Sequence, residues 1–460
     1  MTEITSIPLN KITTELIGLS IQIMGRVSGI RHTSPKIGFV IIRDNINTIQ
    51  CVAGLKFTKE FESLMKLPIE TFVSLSGKLS KLPDNVDKIK SCSITDFEFQ
   101  VESWNMIGPV YYTPFLISDA NSLEKSDDKV SVGTSLKLDA RYFDLRCPIN
   151  WAIFKLRARM LQKFRNIATE LGFMEINSPK LIGTASEGGS AVFPVKFFNS
   201  QAYLAQSPQL YKQMAINADF NKVFEVGPVF RAENSLGHRH LCEFTGMDLE
   251  MAISPENDHL EVVRTLWTIL IGVFEDLSME STESNYLKSL HKFTPLEYPK
   301  EPLIISFVNG VTMLAEAGFV QNPLEDLTTE NEKNLGTIVK EMFGSDLFVL
   351  DKYPKSARPF YTMINNSDSN YTNSFDVIMR GEEICSGSQR IHNLFQLINR
   401  MGELNVCTGL FSDYLKSFEC GSRPHGGCGF GAERILMLFF ELGNVRKTSL
   451  FPRDPKRLFP

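Results

Sequence analysis

The sequence predicts a two-part fold: a small all-β domain, barrel or sandwich, followed by a larger α/β or α+β domain. Three observations carry this. At 460 residues the chain exceeds one ordinary domain. Its first 110 residues hold several short β-type runs separated by turn residues. Beyond residue 140, apolar residues recur at helical as well as strand spacing, with no internal repeat.

The elements can be justified in order. Ser20 to Val27 and Gly38 to Arg43 are rich in Ile and Val, and Thr71 to Leu79 alternates apolar and polar residues. Thr33-Ser34-Pro35 and Pro83-Asp84-Asn85 read as turns. Residues 111–140 turn polar and small, from Ser118 to Ser122 and again from Glu124 to Gly133, and read as a linker or hinge. A helix follows, with Phe154, Ala158, Leu161, Phe164, Ala168 and Leu171 at steps of three and four, stopped by Gly172. Phe173 to Asn177 then reads as a strand, ended by Pro179.

Composition removes several function classes. Hydrophobic residues at 43% and charged residues at 22% exclude a chain dominated by disorder. A net charge of −5 excludes a generally basic nucleic-acid coat but leaves room for local patches. The most apolar run, Leu266 to Phe274, is too short to span a membrane. Met1 to Asn10 has neither the basic flank nor the apolar core of a signal peptide, so a cytoplasmic protein is expected. The eight cysteines form no CxxC and no zinc spacing with the seven histidines, so reduced packing cysteines are expected.

Two segments carry chemistry. In the first, Phe230-Arg231-Ala232-Glu233 precedes a polar loop, then Arg239-His240-Leu241 and the strand-like run Glu243 to Met251. Arginines flanking a β-turn-β unit suit a polyphosphate, because guanidinium presents a charged planar fork to its oxygens. Alone, this run is short enough to be a solvated hairpin. In the second, Gly427-Cys428-Gly429-Phe430-Gly431-Ala432-Glu433-Arg434 leads into an apolar helix. Glycines let a ligand approach the backbone, and a helix start favours anions.

Together these segments resemble motifs 2 (about 224–251) and 3 (about 427–440) of the class II aminoacyl-tRNA synthetases. The helix and strand of about 151–180, ending at Pro179, resemble motif 1. Further runs narrow the resemblance to the aspartyl-tRNA synthetases of archaeal and eukaryotic cytosolic type. They are Leu138 to Arg146, Ser186 to Ser190, Gln206 to Gln213, Ser386 to His392 and Asn444 to Arg457. The resemblance implies an N-terminal OB-fold anticodon-binding domain over 1–110, and a class II antiparallel-sheet catalytic domain over 141–460. It also implies ATP as substrate, Mg²⁺ as cofactor, and tRNA(Asp) rather than DNA as the nucleic-acid partner. L-aspartate would be the amino acid, and a homodimer would form through motif 1.

It implies roles residue by residue. Arg231, Glu383 and Arg434 would be the catalytic group, with Arg231 gripping the α-phosphate and the attacking carboxylate. Ala232, Glu233, Arg239, His240, Leu241, Gly431, Ala432 and Glu433 would complete the ATP site, with Phe244 and Arg434 sandwiching adenine. Glu383 would ligate Mg²⁺ with help from Ser386. Lys212 and Arg390 would hold the aspartate side-chain carboxylate. Glu187, Gln209 and Asp248 would receive its ammonium group and support a pocket that includes Leu210, Tyr211, Arg231 and Ser386. Phe39 and Gln50 would meet anticodon bases, although Phe39 also fits a buried strand position. Asp376 is acidic and near the site without an assigned role. Cys428, where glycine is usual, and Arg423, where proline is common, depart from the pattern and put local ATP-site geometry in doubt. The basic tail, net +4 over 446–457, suits either phosphate contact or anchoring of the C-terminus.

Other readings stay open. A ligase that charges both tRNA(Asp) and tRNA(Asn) with aspartate would share every active-site residue. A non-catalytic RNA-binding paralogue would be expected to lack Arg231, Glu383 or Arg434, all of which are present. An asparagine-specific ligase is opposed by Lys212 and Gln389-Arg390-Ile391-His392.

Overall fold

The computed structural model describes residues 5–83, 86–123, 131–185 and 192–460. The chain divides into two compact units, residues 1–152 with 289–291, and residues 153–288 with 292–460.

The first unit is built on a closed five-stranded barrel, in spatial order β1-β2-β3-β5-β4. Its strands are β1 (Ser20–Ser34), β2 (Ile37–Asp44), β3 (Asn47–Gly54), β4 (Phe72–Lys81) and β5 (Phe97–Gly108). Closure depends on the long β1, which pairs with β4 through Ser20–Arg26 and with β2 through Arg26–Ser34. Alternate residues point inward, so Ile21, Ile23, Val27, Val40, Ile42, Val73, Leu75, Phe99 and Val101 form the barrel core. At Gly77 the backbone of β5 comes so close that a Cβ would lie 1.9 Å from the Gln100 carbonyl oxygen. Only glycine fits there. The division of the chain falls inside the helix Pro148–Glu170 rather than in the polar stretch 111–140. Residues just before that helix are tied to the barrel: Arg146 pairs with Glu70 (3.5 Å), and its carbonyl accepts from Arg43 (2.9 Å).

The second unit is built on an eight-stranded sheet. In chain order its strands are β6 (Met174–Glu175), β10 (Lys222–Phe230), β11 (Glu243–Ala252), β12 (Ile304–Ser306), β13 (Leu347–Asp351), β14 (Ser374–Met379), β15 (Glu382–Gln389) and β16 (His425–Gly431). The spatial order is β12-β13-β14-β15-β16-β11-β10-β6, antiparallel except at the two edges, where β12 and β6 run parallel to their neighbours. A small sheet of β7 (Leu181–Ile182), β9 (Ser200–Leu204) and β8 (Pro194–Phe197) stands apart from it. The mixed α+β architecture thus rests on a mainly antiparallel sheet.

Helices cover the back of the large sheet. The helix Pro148–Glu170 buries Leu156, Met160, Phe164, Ile167 and Ala168, and the Phe164 ring lies 6.0 Å from both Phe224 and Phe430. That face is rotated from the expected stripe. Ala158 is exposed, and Phe154, Leu161 and Leu171 are half-buried. The helix has apolar residues on more than half its circumference, so spacing alone did not select the face that meets the sheet. Gly172, at φ +83°, ends the helix as expected, with the Phe173 N–H returning to the Ala168 carbonyl. The strand after it is only two residues long. The apolar run Leu266 to Phe274 lies in the helix His259–Ser278 and is largely buried there. Among the described residues no helix is long and apolar enough to cross a membrane.

Candidate active site

The front of the large sheet is polar, and strand register explains how. Asp248, Gly429, Ser386 and Asp376 are paired in a row across β11, β16, β15 and β14. Glu250, Gly427, Ser388 and Ser374 form the next row. Side chains two apart on a strand share a face, so these rows make one polar floor. Phe430, Cys428, Leu249 and Phe224 alternate with them and face the helices. A cleft of about 850 Å³ opens over this floor.

One end of the cleft is a buried charge cluster. Lys212 Nζ lies 3.1 Å from Asp248 Oδ1 and 3.4 Å from Glu250 Oε2, and donates to the Leu249 and Cys428 carbonyls (3.3 and 3.2 Å). Arg390 makes a two-pronged bond to Glu250 (2.9 and 3.1 Å) and donates to Ser388 Oγ (2.6 Å). Its guanidinium also lies over the Tyr361 ring. Glycines on β16 make this packing feasible. A Cβ at Gly427 would lie 2.2 Å from Glu250 Oε2, and one at Gly429 would lie 2.9 Å from Asp248 Oδ1. Burial would raise the Glu250 carboxyl, but Arg390 and Lys212 outweigh it and hold it below its ordinary value.

Two cations and two carboxylates thus balance within the cluster. Lys212 and Arg390, expected to hold a substrate carboxylate, each already have a resident carboxylate partner. Glu250 is the residue sequence reasoning missed, although its spacing of two from Asp248 on a strand was a usable signal. Gln209 lines the same end, and its Nε2 is buried without a hydrogen-bond partner. Leu210 and Tyr211 do not line the cleft. They sit on the helix Gln209–Asn217 between Gln209 and Lys212, one and two residues round from the lining face, and Leu210 packs against the aromatic cluster of Phe360, Tyr361 and Tyr414. Glu187 lies outside the described residues.

The other end is more open. Arg231, Glu233, Arg239, His240, Leu241, Phe244, Glu383, Gly431 and Arg434 all line it. The Arg231 guanidinium sits 5.6 Å from the Phe244 ring centroid. Arg434 donates to the Glu383 carbonyl (2.6 Å), with its carboxylate at 3.8 Å. Glu433 lines the cleft as well. Its buried carboxylate accepts from the Thr245 N–H (3.0 Å) and from Arg157 (2.7 Å), which fastens β11 to the helix Ala432–Phe439. Ala432 is fully buried and outside the lining.

A second buried pair adjoins Glu383, and its Arg358 also lines the cleft. Arg358 bonds Asp376 (2.8 Å), donates to Ser386 and Ser374 hydroxyls (2.9 and 3.0 Å), and lies 3.9 Å over the Tyr353 ring. Burial raises the Asp376 carboxyl to about 7 against the opposing effect of Arg358. This places Asp376 directly opposite Ser386; Arg358 had no local sequence signal.

Neither departure from the family pattern lines the cleft. Cys428 turns its thiol to the helix face and gives the cleft only its carbonyl, held by Lys212. Arg423 donates to Asn221 Oδ1 (2.7 Å) and does not line the cleft. In the tail, Arg446 bonds Asp454 (2.7 Å) and the Gly237 carbonyl (3.1 Å), while the Arg453 carbonyl accepts from the Cys242 N–H (2.8 Å). The basic tail therefore anchors the loop between β10 and β11.

On the barrel, Phe39 and Gln50 share one outer face with Arg31. Phe39 pairs with Arg31 and Val52, and Gln50 with Ile41. Phe39 is half-buried, not in the core, and Arg31 sits 5.0 Å over its ring. Gln50 donates to Glu98 (2.5 Å).

Residues 133–455 match the family of class II tRNA synthetases (D, K and N), and residues 21–107 match the OB-fold nucleic acid binding domain. This chain belongs to the class II tRNA synthetases. Membership in that family carries the use of ATP. Aspartate–tRNA ligase 2, cytoplasmic, of Arabidopsis thaliana is 40% identical, over 98% of this chain and 83% of its own length. The cytoplasmic aspartate–tRNA ligase of Homo sapiens is 39% identical, over 98% and 92%. A putative aspartyl-tRNA synthetase structure from Leishmania major superposes with a TM-score of 0.92 at 36% identity, covering 100% of this chain and 96% of that one. The asparaginyl-tRNA synthetase of Pyrococcus horikoshii, complexed with asparaginyl-adenylate, superposes at 0.87 with 27% identity, each chain fully covered.

Proposed function

We propose that this class II synthetase is a cytoplasmic aspartate–tRNA ligase, which forms aspartyl-adenylate from L-aspartate and ATP and passes the aspartyl group to the 3′ end of tRNA(Asp). The observation that carries the amino-acid choice is the buried Lys212–Arg390 pair at one end of the cleft. Both side chains offer donors only. A substrate carboxylate accepts from both with either oxygen once Lys212 releases one of its two carbonyl partners. Asparagine would turn its NH₂ toward one of them, leaving donor against donor in a buried site. This holds even though Asp248 and Glu250 already neutralise the cations, because the selection rests on hydrogen-bond polarity. Asp248 and Gln209 receive the substrate's own polar groups.

Adenylation needs alignment of carboxylate and α-phosphate more than it needs a protein nucleophile. Arg231 lines the cleft with two-pronged donor geometry and would take both groups. Phe244 and Arg434 hold adenine between a ring and a guanidinium. Glu383 and Ser386 offer hard oxygen donors on one wall, a fit for Mg²⁺. Among the described residues no cluster of three His, Cys, Asp or Glu side chains could hold a metal alone, so the ion would arrive with nucleotide phosphates. When bound, it would neutralise phosphate charge. Phe39 would offer its ring to an anticodon base, and the buried Gln50 amide would reach one by exchanging its bond to Glu98.

A homodimer through motif 1 completes the proposal. Met174 on β6, within motif 1, is exposed, as are Leu181 on β7 and Phe197 and Phe198 at β8, apolar side chains that a second copy would cover. Sedimentation should give twice the 51.9 kDa chain mass; a fully active monomer would remove this part.

The deciding experiment is charging with labelled aspartate and labelled asparagine on two tRNA transcripts, one with each cognate anticodon. Aspartate on tRNA(Asp) alone is expected. Aspartate on both would make the enzyme non-discriminating. Asparagine charging, or no aspartate-dependent pyrophosphate exchange, would overturn the proposal.

A further inference from the structure

The helix Thr329–Phe343 carries a buried acid that none of the roles above uses. Glu332 stands in its first turn, close to the helix N-terminus, where a negative charge is favoured. Its carboxylate faces two groups from different elements. On one side, Arg239 Nη1 lies 3.2 and 3.4 Å from its oxygens, while Arg239 Nη2 donates to Thr329 Oγ1 (2.9 Å). On the other, the backbone N–H of Glu383 donates to Glu332 Oε1. The Glu332 side chain is 11% exposed and that of Arg239 16%, so the pair is shielded from water. One residue earlier, Glu382 bonds His238 (2.6 Å), the neighbour of Arg239. The loop after β10 and the start of β15 are therefore stitched at consecutive positions.

We propose that Glu332 is a positioning residue for adenylate formation, fixing Arg239 and Glu383 in one register so that the nucleotide phosphates and their metal ion are gripped together. This rests on the reading of the cleft as an ATP site. The chemistry is specific. An arginine directed at phosphate loses aim if its guanidinium is free to rotate. A glutamate that ligates Mg²⁺ through few protein donors depends on its backbone being fixed. Glu332 serves both with one carboxylate, whereas at the amino-acid end Lys212 and Arg390 have their own acids.

Two variants separate the two contacts. Glu332→Gln keeps an oxygen acceptor for the Glu383 N–H but removes the charge facing Arg239. Glu332→Ala removes both. Equilibrium binding of a fluorescent ATP analogue is measured with Mg²⁺ and with EDTA, alongside KM values for ATP and aspartate in pyrophosphate exchange. For Glu332→Gln, nucleotide affinity is expected to fall roughly tenfold in both buffers, the loss of one charge-assisted contact. For Glu332→Ala, a further loss is expected that appears only with Mg²⁺. The aspartate KM should stay within twofold in both. Unchanged nucleotide binding would overturn the proposal. So would an equal loss for ATP and aspartate with a lowered melting point, which would make Glu332 a support of the fold alone. Failure of the wild-type protein to bind the analogue would instead overturn the ATP-site reading itself.

Discussion

At the scale of single residues, Glu250 organises the amino-acid end of the cleft. It is fully buried and holds both Lys212 and Arg390. Glu250→Gln keeps the shape and removes the charge, so two buried cations would share Asp248 alone. Breaking such a pair costs about 3–5 kcal/mol. The expected result is a lower melting temperature and an aspartate KM raised roughly tenfold or more, with the ATP KM unchanged; steady-state pyrophosphate exchange checks this. His425, beneath the same cluster, adds a pH dependence. Burial lowers its imidazole from 6.5 to about 4, against an opposing pull from Glu250. Folded His425 is thus neutral where the unfolded chain would take a proton. Stability is full above about 6.5 and is lost as pH falls toward about 4, by about 3 kcal/mol over that window. Denaturation at stepped pH should show this slope, and His425→Asn should flatten it.

At the scale of elements, strand alternation and glycine placement build the site. β11 puts Asp248 and Glu250 on one face, and β16 leaves room beside them. Gly427→Ala would set a Cβ 2.1 Å from the Leu249 carbonyl and 2.2 Å from Glu250 Oε2. Neither atom is free to retreat, since one belongs to a paired strand and the other to the ion cluster. We expect loss of several kcal/mol of stability, of the order seen for overpacked cores, and a raised aspartate KM in whatever folds. Calorimetry with pyrophosphate exchange checks both. Such elements also mark what the sequence could reveal. β4 was legible because alternation reports a half-buried strand directly, and β1 and β2 because their Ile and Val favour strands. The helix Pro148–Glu170 was legible as a helix, yet its buried face was not, because apolar residues flank that face on both sides. Gln209 and Lys212 share a helix face and meet the cleft, whereas Leu210 and Tyr211 between them do not. The ion pairs that set the site were illegible. Arg390 meets Glu250 across 140 positions, and Arg239 meets Glu332 across 93. No local pattern connects residues so far apart. Arg358 and Glu332 became visible only once the sheet brought their elements together.

At the scale of the whole molecule, the two units divide the labour that a tRNA synthetase must perform. Every residue lining the cleft belongs to the second unit, while the Phe39 face belongs to the barrel. Adenylate formation involves no tRNA, so it should be indifferent to the barrel's outer face. Phe39→Ala tests this separation. Phe39 is half-buried and stacked under Arg31 rather than packed in the barrel core, so its loss should shift the melting temperature little. Stacking of one base on an aromatic contributes about 1–3 kcal/mol, so the KM for tRNA should rise between roughly fivefold and a hundredfold. Aspartate-dependent pyrophosphate exchange should remain at the wild-type rate. If exchange and charging fall together while the melting temperature drops, Phe39 supports the fold and the barrel face is not where the anticodon is read. If charging alone falls, and falls alike at every anticodon, the face binds RNA without reading it. If the loss is confined to the aspartate anticodon, discrimination between aspartate and asparagine tRNAs resides on this face, more than a hundred residues of chain away from the chemistry it controls.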